Sequence, residues 1–363
     1  MSASPDLLDA VSQRMERFAA DRLAEASELG TDAVGFARSA SDTLVGGKRL
    51  RARFCFTGWR AVAHVATPPQ SSPGDDVIAA AGALEYFHAA ALVHDDLIDN
   101  SDTRRGRPAA HRALESRHRE QGWSGDADGF GRSAALLLGD LLVAWSDDLL
   151  EEGLRTSPHA AAARAEYARM RRDVTVGQFL DIAEEHAAAS VPGSEHAARA
   201  LRVATYKSAR YSVQQPLLIG AALAGADQAQ HDALARFGLP LGLAFQLRDD
   251  VLGVFGDSAV TGKPSGDDLR EGKRTLLVAY ARETVPAGTR QTIDELLGDP
   301  SLDDDQISSL QRTIVESGAL ARVETLIADY AAEADRALRG VPLDNAAVSG
   351  LRELARDAVT RSA

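Results

Sequence analysis

Between residues 95 and 107 the chain places four aspartates, Asp95, Asp96, Asp99 and Asp102, directly before three arginines, Arg104, Arg105 and Arg107. On a helix turning about 100° per residue, Asp95 and Asp99 fall about 40° apart. His88 lies on the same stripe two turns earlier, and Asp96 sits about 100° round from Asp95. Carboxylates this close repel one another, and burial raises their pKa values unless cations compensate. The preceding run, AAAGALEYFHAAALV at 79–93, is apolar enough to be buried. The acids therefore stand at the end of a core helix, where a solvated salt-bridge face does not account for them. Hard carboxylate oxygens at helical spacing suit Mg²⁺, which bridges a few carboxylates to phosphate oxygens and keeps some waters. The neighbouring arginines suit the phosphates themselves, because a guanidinium fork binds oxygens in pairs.

A second box repeats the device about 150 residues later, in FQLRDDVLGVFGD at 245–257. Gln246, Asp249 and Asp250 share one helical face, and Asp257 lies two turns beyond Asp250. One aspartate pair on a helix says little. Two such boxes on apolar helices, far apart in sequence, imply facing walls of one metal-filled cavity. The dipeptide HD at 94–95 also admits a His-Asp metal phosphohydrolase, but the other eight histidines form no convincing ligand set. GGKRLR at 46–51 adds basic charge, and its glycines let the backbone come close to an anion.

Elements must hold these residues in place, and the sequence reads as helices. Apolar positions recur at 3–4 spacing over 6–27, 30–43, 50–66, 76–100, 131–153, 159–187, 195–224, 228–255, 273–285, 305–317 and 320–338. Turn-rich breaks fall at 67–76, 122–131, 190–193 and 256–268. None separates two independent cores, so the expectation is one all-α domain over 1–363, a large helical bundle around a central cavity. Pro216 and Pro240 fall inside helical patterns and should kink or offset them. Residues 115–132 read as a polar, glycine-rich surface loop, and the helices after 286 as structural.

Composition narrows the partners. The 363 residues are 45% hydrophobic with a formal charge of −13. No dense Lys/Arg tract appears, which argues against nucleic acid. Cys55 is the only cysteine, so an intrachain disulfide and a cysteine-based metal cluster are excluded, in keeping with a reducing cytoplasm. No basic-then-apolar leader opens the sequence. The most apolar windows are interrupted by Glu85 and His88, by Asp140, or by Gln214 and Gln215, so stable membrane insertion is not expected.

The two boxes and GGKRLR resemble those of the trans-isoprenyl diphosphate synthases, the polyprenyl synthetase family, over roughly residues 40–285. DDLID is similar to the family's first aspartate-rich motif and DDVLGVFGD to its second, although Gly253 stands where a third aspartate would be. The resemblance implies the isoprenoid-synthase helical fold, with Asp95, Asp96, Asp99 and Asp249 as metal ligands, Asp250 and Asp257 in support, and three Mg²⁺ ions with the bound diphosphate. It implies an isopentenyl diphosphate clamp of Lys48, Arg51 and His88. Arg104 would face the allylic diphosphate and Arg105 the isopentenyl diphosphate. Lys207 followed by Ser208, the pair Gln178 and Asp181, and Gln246 match further cavity-facing positions. Lys263 and Lys273 match lysines that approach the allylic diphosphate from a loop after the second box, whose position suits a lid.

The reaction so implied is a 1′-4 head-to-tail condensation of isopentenyl diphosphate with a C5–C15 allylic diphosphate. A class I terpene cyclase would need no GGKRLR clamp and usually carries a different second metal motif. A non-catalytic subunit of a heteromeric synthase would usually lose acidic-box residues. Product length turns on the residues before Asp95. Ala91 and Ala90 are small where farnesyl-forming relatives carry aromatics, and Phe87 and Tyr86 are the next large side chains. A helical turn rises about 5.4 Å, roughly one isoprene unit, so C20, geranylgeranyl diphosphate, is the expected product; C15 and C25 or longer are the alternatives. The family also implies a homodimer, with Ala-rich helices such as 131–153 offering faces to pack.

Overall fold

The computed structural model of the chain describes residues 5–187, 190–256 and 265–360, and among these the only strands form one two-residue hairpin. The all-α expectation holds. The helices gather into two compact units, residues 1–163 with 219–225, and residues 164–218 with 226–363.

In the first unit, α1 (Pro5–Ser27), α3 (Leu50–Ala63), α5 (Ala110–Glu120) and α6 (Ala127–Leu154) pack on α4 (Asp75–Ile98), and α2 (Thr31–Asp42) packs on α1 and α6. A helix apolar on all sides must be covered on all sides, and α4 buries Ala79 through Phe87 without interruption. By length and composition α4 alone among the described helices could cross a membrane, yet 72% of its apolar window is buried inside the protein. Tyr86 packs edge-on against Phe18 of α1 and Trp145 of α6, with ring centroids 5.5 and 6.2 Å away, and its hydroxyl donates to the Met15 carbonyl at 3.1 Å. Small residues set how closely the helices approach. A Cβ at Gly153 of α6 would lie 2.4 Å from that of Ala79, and one at Gly220 would lie 1.8 Å from the Cys55 carbonyl oxygen of α3. Cys55 is fully buried, which pushes its thiol up to about 12 and leaves it a small core residue.

One sequence expectation needs correction here. Residues 115–132 are not one surface loop: α5 continues to Glu120 and α6 begins at Ala127. Arg112 ties the stretch together by donating to Asp102 at 2.7 Å, Glu115 at 2.8 Å and Asp128 at 2.7 Å, while Trp123 and Phe130 pack on His118. Polar composition hid a segment held by ion pairs and rings.

In the second unit, α10 (Gln228–Phe255) is the axis. It packs against a π-helical segment (Ala204–Gln214) and the helices Ala319–Ala337 and Asn345–Thr360. An Asp227–Gln230 capping box starts it, and it runs on through Pro240. The expected offset at Pro216 takes the form of the π segment. It separates α8 (His196–Val203) from α9 (Gln215–Leu223), and Pro216 follows at the second residue of α9. Proline has no N–H to give and clashes with the preceding turn, and a change to the i→i+5 pattern is one way a helix absorbs such an interruption.

Replacing Gly220 by alanine drives a methyl into the Cys55 backbone. Gly220→Ala should lower stability by about 1–3 kcal/mol, read as a drop in the melting temperature. A variant that melts with the wild type would contradict the close approach of α3 to this glycine.

Candidate active site

The first box occupies the last turn of α4. Asp95 and Asp96 are in the helix, and Asp99 caps it with its amide donating to the Asp95 carbonyl at 2.9 Å. Acids at a helix C-terminus oppose the helix dipole, so the placement costs stability unless cations are near. Arg104 supplies one. Its Nε donates to Asp96 Oδ1 at 2.8 Å, its Nη2 closes a second short bond to the same oxygen, and Asp95 Oδ2 lies 3.7 Å away. Burial raises the Asp96 pKa and Arg104 pulls against that rise. Asp102, the fourth aspartate of the run, binds Arg112 instead and serves the fold.

Arg104 reaches the box because 103–108 forms a hairpin, with Thr103 opposite Pro108 and Arg104 opposite Arg107. Arg105 and Gly106 make its turn with φ of 53° and 71°, the left-handed pair that a two-residue hairpin favours. Arg104 thus falls on the acids while Arg105 reaches elsewhere: a Cβ on Gly47 would lie 3.1 Å from the Arg105 guanidinium nitrogens. Gly46 and Gly47, at φ of 82° and 90°, carry the clamp loop past that guanidinium, and Arg49 is also left-handed at φ 48°. A side chain at either glycine would be strained.

A residue that sequence reasoning missed anchors this loop. Glu85 of α4, buried at 7% exposure, accepts from the Ala52 amide at 3.1 Å at the start of α3 and lies 3.8 Å from Arg49. Its oxygens meet one of the amides that a helix start leaves unbonded. Lys48 is exposed just before α3, and Arg51 lies in its first turn. One turn along α4 from Glu85, His88 is held neutral: burial lowers its pKa, and Arg51, Arg105, Arg104 and Arg49 lower it further. The guanidinium groups make the surroundings of this imidazole locally positive, with Asp96 beside Arg104 and Glu85 beside Arg49 offsetting part of that charge.

Ala90 is buried and Ala91 partly so, with Phe87 at 7% exposure one turn below. Tyr86 is committed to Phe18, Trp145 and Met15.

The second unit carries the other half of the expected residues. Asp249 is exposed near the end of α10, and Asp250, buried, accepts from Gln246 Nε2 at 2.7 Å. Burial, and then the Asp268 carboxylate, push Asp250 up to about 7. Lys273 pairs with Asp268 at 3.1 Å and Glu271 at 2.6 Å, and these acids hold it well above its ordinary pKa against the effect of burial. Lys207 and Ser208 lie in the π segment, where Lys207 donates to Asp181 of α7 (Ala160–Ala187) at 2.5 Å. The two backbones come close there because residue 177, next to Gln178, is glycine: a Cβ on it would lie 2.3 Å from the Lys207 backbone nitrogen. Asp257 and Lys263 lie outside the described residues.

Among the described residues no three His, Cys, Asp or Glu side chains converge tightly enough to enclose an ion by themselves. The donors are nonetheless of the kind Mg²⁺ takes, carboxylate oxygens that leave positions open for waters and phosphate oxygens. The residues therefore fit a metal shared with a diphosphate better than a closed structural site.

A model of the polyprenyl synthetase family matches residues 36–314. The chain is 31% identical to a geranylfarnesyl diphosphate synthase of Aeropyrum pernix, over 86% of this chain and 89% of that one. It is 31% identical to the short chain isoprenyl diphosphate synthase of Methanocaldococcus jannaschii, covering 64% of each. Its fold matches the crystal structure of geranylgeranyl pyrophosphate synthase from Corynebacterium glutamicum, complexed with isoprenyl diphosphate and magnesium, with a TM-score of 0.91 at 35% identity, over 98% of this chain and 99% of that one.

The His88 shift carries a sign. Its folded pKa lies well below 6.5, so at acidic pH the unfolded chain binds the proton more readily, and stability rises with pH up to about 6.5. Thermal unfolding of ligand-free His88→Gln should show a shallower rise over that window than the wild type. Equal slopes would place His88 in an environment unlike this one.

Proposed function

The chain belongs to the polyprenyl synthetase family of prenyltransferases, and on that premise we propose that it condenses isopentenyl diphosphate with a C5–C15 allylic diphosphate to give geranylgeranyl diphosphate. The observation that carries the reading is the end of α4, where Asp95 and Asp96 meet Arg104 while Arg105 turns to the Gly47 clamp. It is an arrangement for diphosphate with metal on one side and diphosphate without metal on the other.

Asp95, Asp96, Asp99 and Asp249 would hold Mg²⁺, three ions in our reading, and the metal supplies charge neutralisation of the diphosphate leaving group. Arg104, Lys207, Lys263 and Lys273 bind and orient the allylic diphosphate, whose C1–O bond breaks to leave an allylic cation. Lys48, Arg51, His88 and Arg105 hold isopentenyl diphosphate so that its double bond attacks C1, forming the new carbon–carbon bond. The proton lost from C2 passes to the departing diphosphate. Gln178, Ser208 and Gln246 offer dipoles that stabilise the cation, with Asp250 orienting Gln246, and a water-poor cavity keeps the cation from capture.

Small Ala90 and Ala91 above Phe87 support a C20 product. A C25 product is favoured by the similarity to the geranylfarnesyl synthase named above. We further propose that residues 1–363 form one isoprenyl diphosphate synthase domain. The enzyme would be a cytoplasmic homodimer, and the exposed Leu136 and Leu137 of α6 offer an apolar face for the pairing.

Three measurements test this. Asp95→Ala or Asp249→Ala should cut turnover by several orders of magnitude with the fold intact, and EDTA should stop the wild type until Mg²⁺ is returned; full activity in EDTA would sink the reading. Chromatography of dephosphorylated products should show C20, shortened toward C15 by Ala91→Phe or Ala90→Phe and lengthened by Phe87→Ala; an unchanged distribution would move the length-setting wall elsewhere. Light scattering should give a dimer mass that Leu137→Lys reduces, and a wild-type monomer at micromolar concentration would refute the assembly.

A further inference from the structure

Helix α3 begins without a cap of its own. Its N-cap residue, Arg49, makes no side-chain bond to the first turn, and that turn carries no acid. Lys48 stands just before this turn and Arg51 within it, so the start of α3 holds two of the groups expected to bind isopentenyl diphosphate. The first amides of a helix are unbonded unless a side chain or ligand meets them, and an acid suits that positive end. Glu85 supplies both from α4. Its Oε1 accepts from the Ala52 amide at 3.1 Å, the bond that an N-cap side chain ordinarily makes to the third residue of its helix. Its Oε2 lies 3.8 Å from Arg49 Nη1. We infer that Glu85 is a positioning residue for isopentenyl diphosphate: it holds the loop of Lys48 and the arginines around it in binding geometry without itself binding the substrate. This rests on the function proposed above.

The burial of Glu85 requires such a role. It stands between Leu84 and Tyr86, both fully buried, and an unpaired carboxylate in that position would disfavour the fold. Arg49 depends on it in turn. Its backbone is left-handed at φ 48°, a conformation that a residue other than glycine keeps only where its surroundings hold it. The Arg49 side chain is held at two points, by donation from Nη2 to the Leu44 carbonyl at 3.0 Å and by Glu85. The left-handed path through Gly46, Gly47 and Arg49 is therefore tied down at its end by a residue of another helix.

Charge points to the same residue. Burial and then Arg104 lower the Arg105 pKa, as do Arg49 and Arg51, and Glu85 is the group that pulls against them. Arg104 already has Asp96. With no anion bound, the remaining guanidinium groups repel one another, and a carboxylate beneath them offsets that repulsion. The same negative charge also opposes an arriving diphosphate. Ordering of the cations and repulsion of the anion act with opposite signs on the affinity for isopentenyl diphosphate, so a substitution that removes only the charge separates them.

Steady-state kinetics with isopentenyl diphosphate and geranyl diphosphate provide the test. Glu85→Gln keeps an acceptor for the Ala52 amide and should melt with the wild type. It should raise the KM for isopentenyl diphosphate about tenfold, the effect of one lost charged partner, with kcat and the KM for geranyl diphosphate changed by less than about twofold. Arg49→Gln should raise the same KM, and the double variant should raise it no further than the larger single effect, because all three remove one contact. Glu85→Ala removes the cap as well and should melt below the wild type. A Glu85→Gln protein whose KM for isopentenyl diphosphate is unchanged or lower, or rises in step with that for geranyl diphosphate, would overturn the inference and leave Glu85 a cap of α3 alone. A wild type that forms no condensation product from the two substrates would overturn the proposed function instead.

Discussion

The contact between Arg104 and Asp96 is the constraint around which the first unit is arranged. Asp96 is nearly excluded from water at the end of a largely buried helix, and an uncompensated charge there would cost several kcal/mol. The partner cannot come from α4, so the chain leaves the helix and returns as a two-residue hairpin. That return fixes which way consecutive arginines point. One is committed to the acids, and the next reaches the glycine loop, which Glu85 in turn ties to α3. A single desolvated carboxylate thus accounts for the hairpin, its left-handed turn residues and the loop it touches.

The second unit repeats the logic with other elements. Lys207 rests on Asp181, and Lys273 on Asp268 and Glu271. Cations suited to bind an anion already face carboxylates within the protein. Such pairing keeps each ammonium ordered, while the surface pairs elsewhere on the chain contribute little.

Much of this was legible in the sequence because the signals are local. Helical periodicity located the long helices within a few residues, and both acid boxes, GGKRLR and TRRG are contiguous motifs. What was not legible depends on partners distant in the chain. Glu85 looked like an interruption of an apolar run, and only its position opposite the Ala52 amide makes it an anchor. Helix α5 was lost in a polar stretch because its order comes from Arg112 ion pairs and from rings around His118. Asp268 lay in plain sight beside the lysines of GKPSGDDLREGK, and nothing in the spacing says that it fills the space above Gly253.

The π segment at 204–214 has a consequence for how this chain tolerates insertion and deletion. Each i→i+5 turn takes up more residues than an α turn, so the segment behaves as extra chain stored within a continuous rod. Removing one residue there could let the rod relax to α geometry, but everything on one side would rotate by about 100° against the other. Lys207 would then leave Asp181, or Arg210 and Gln215 would leave the Asp173 carboxylate that both of them hold. The phase of the rod is fixed at both ends, so length variation among related chains should be absorbed in the turns around 190–193 and 225–227 and not within the segment itself.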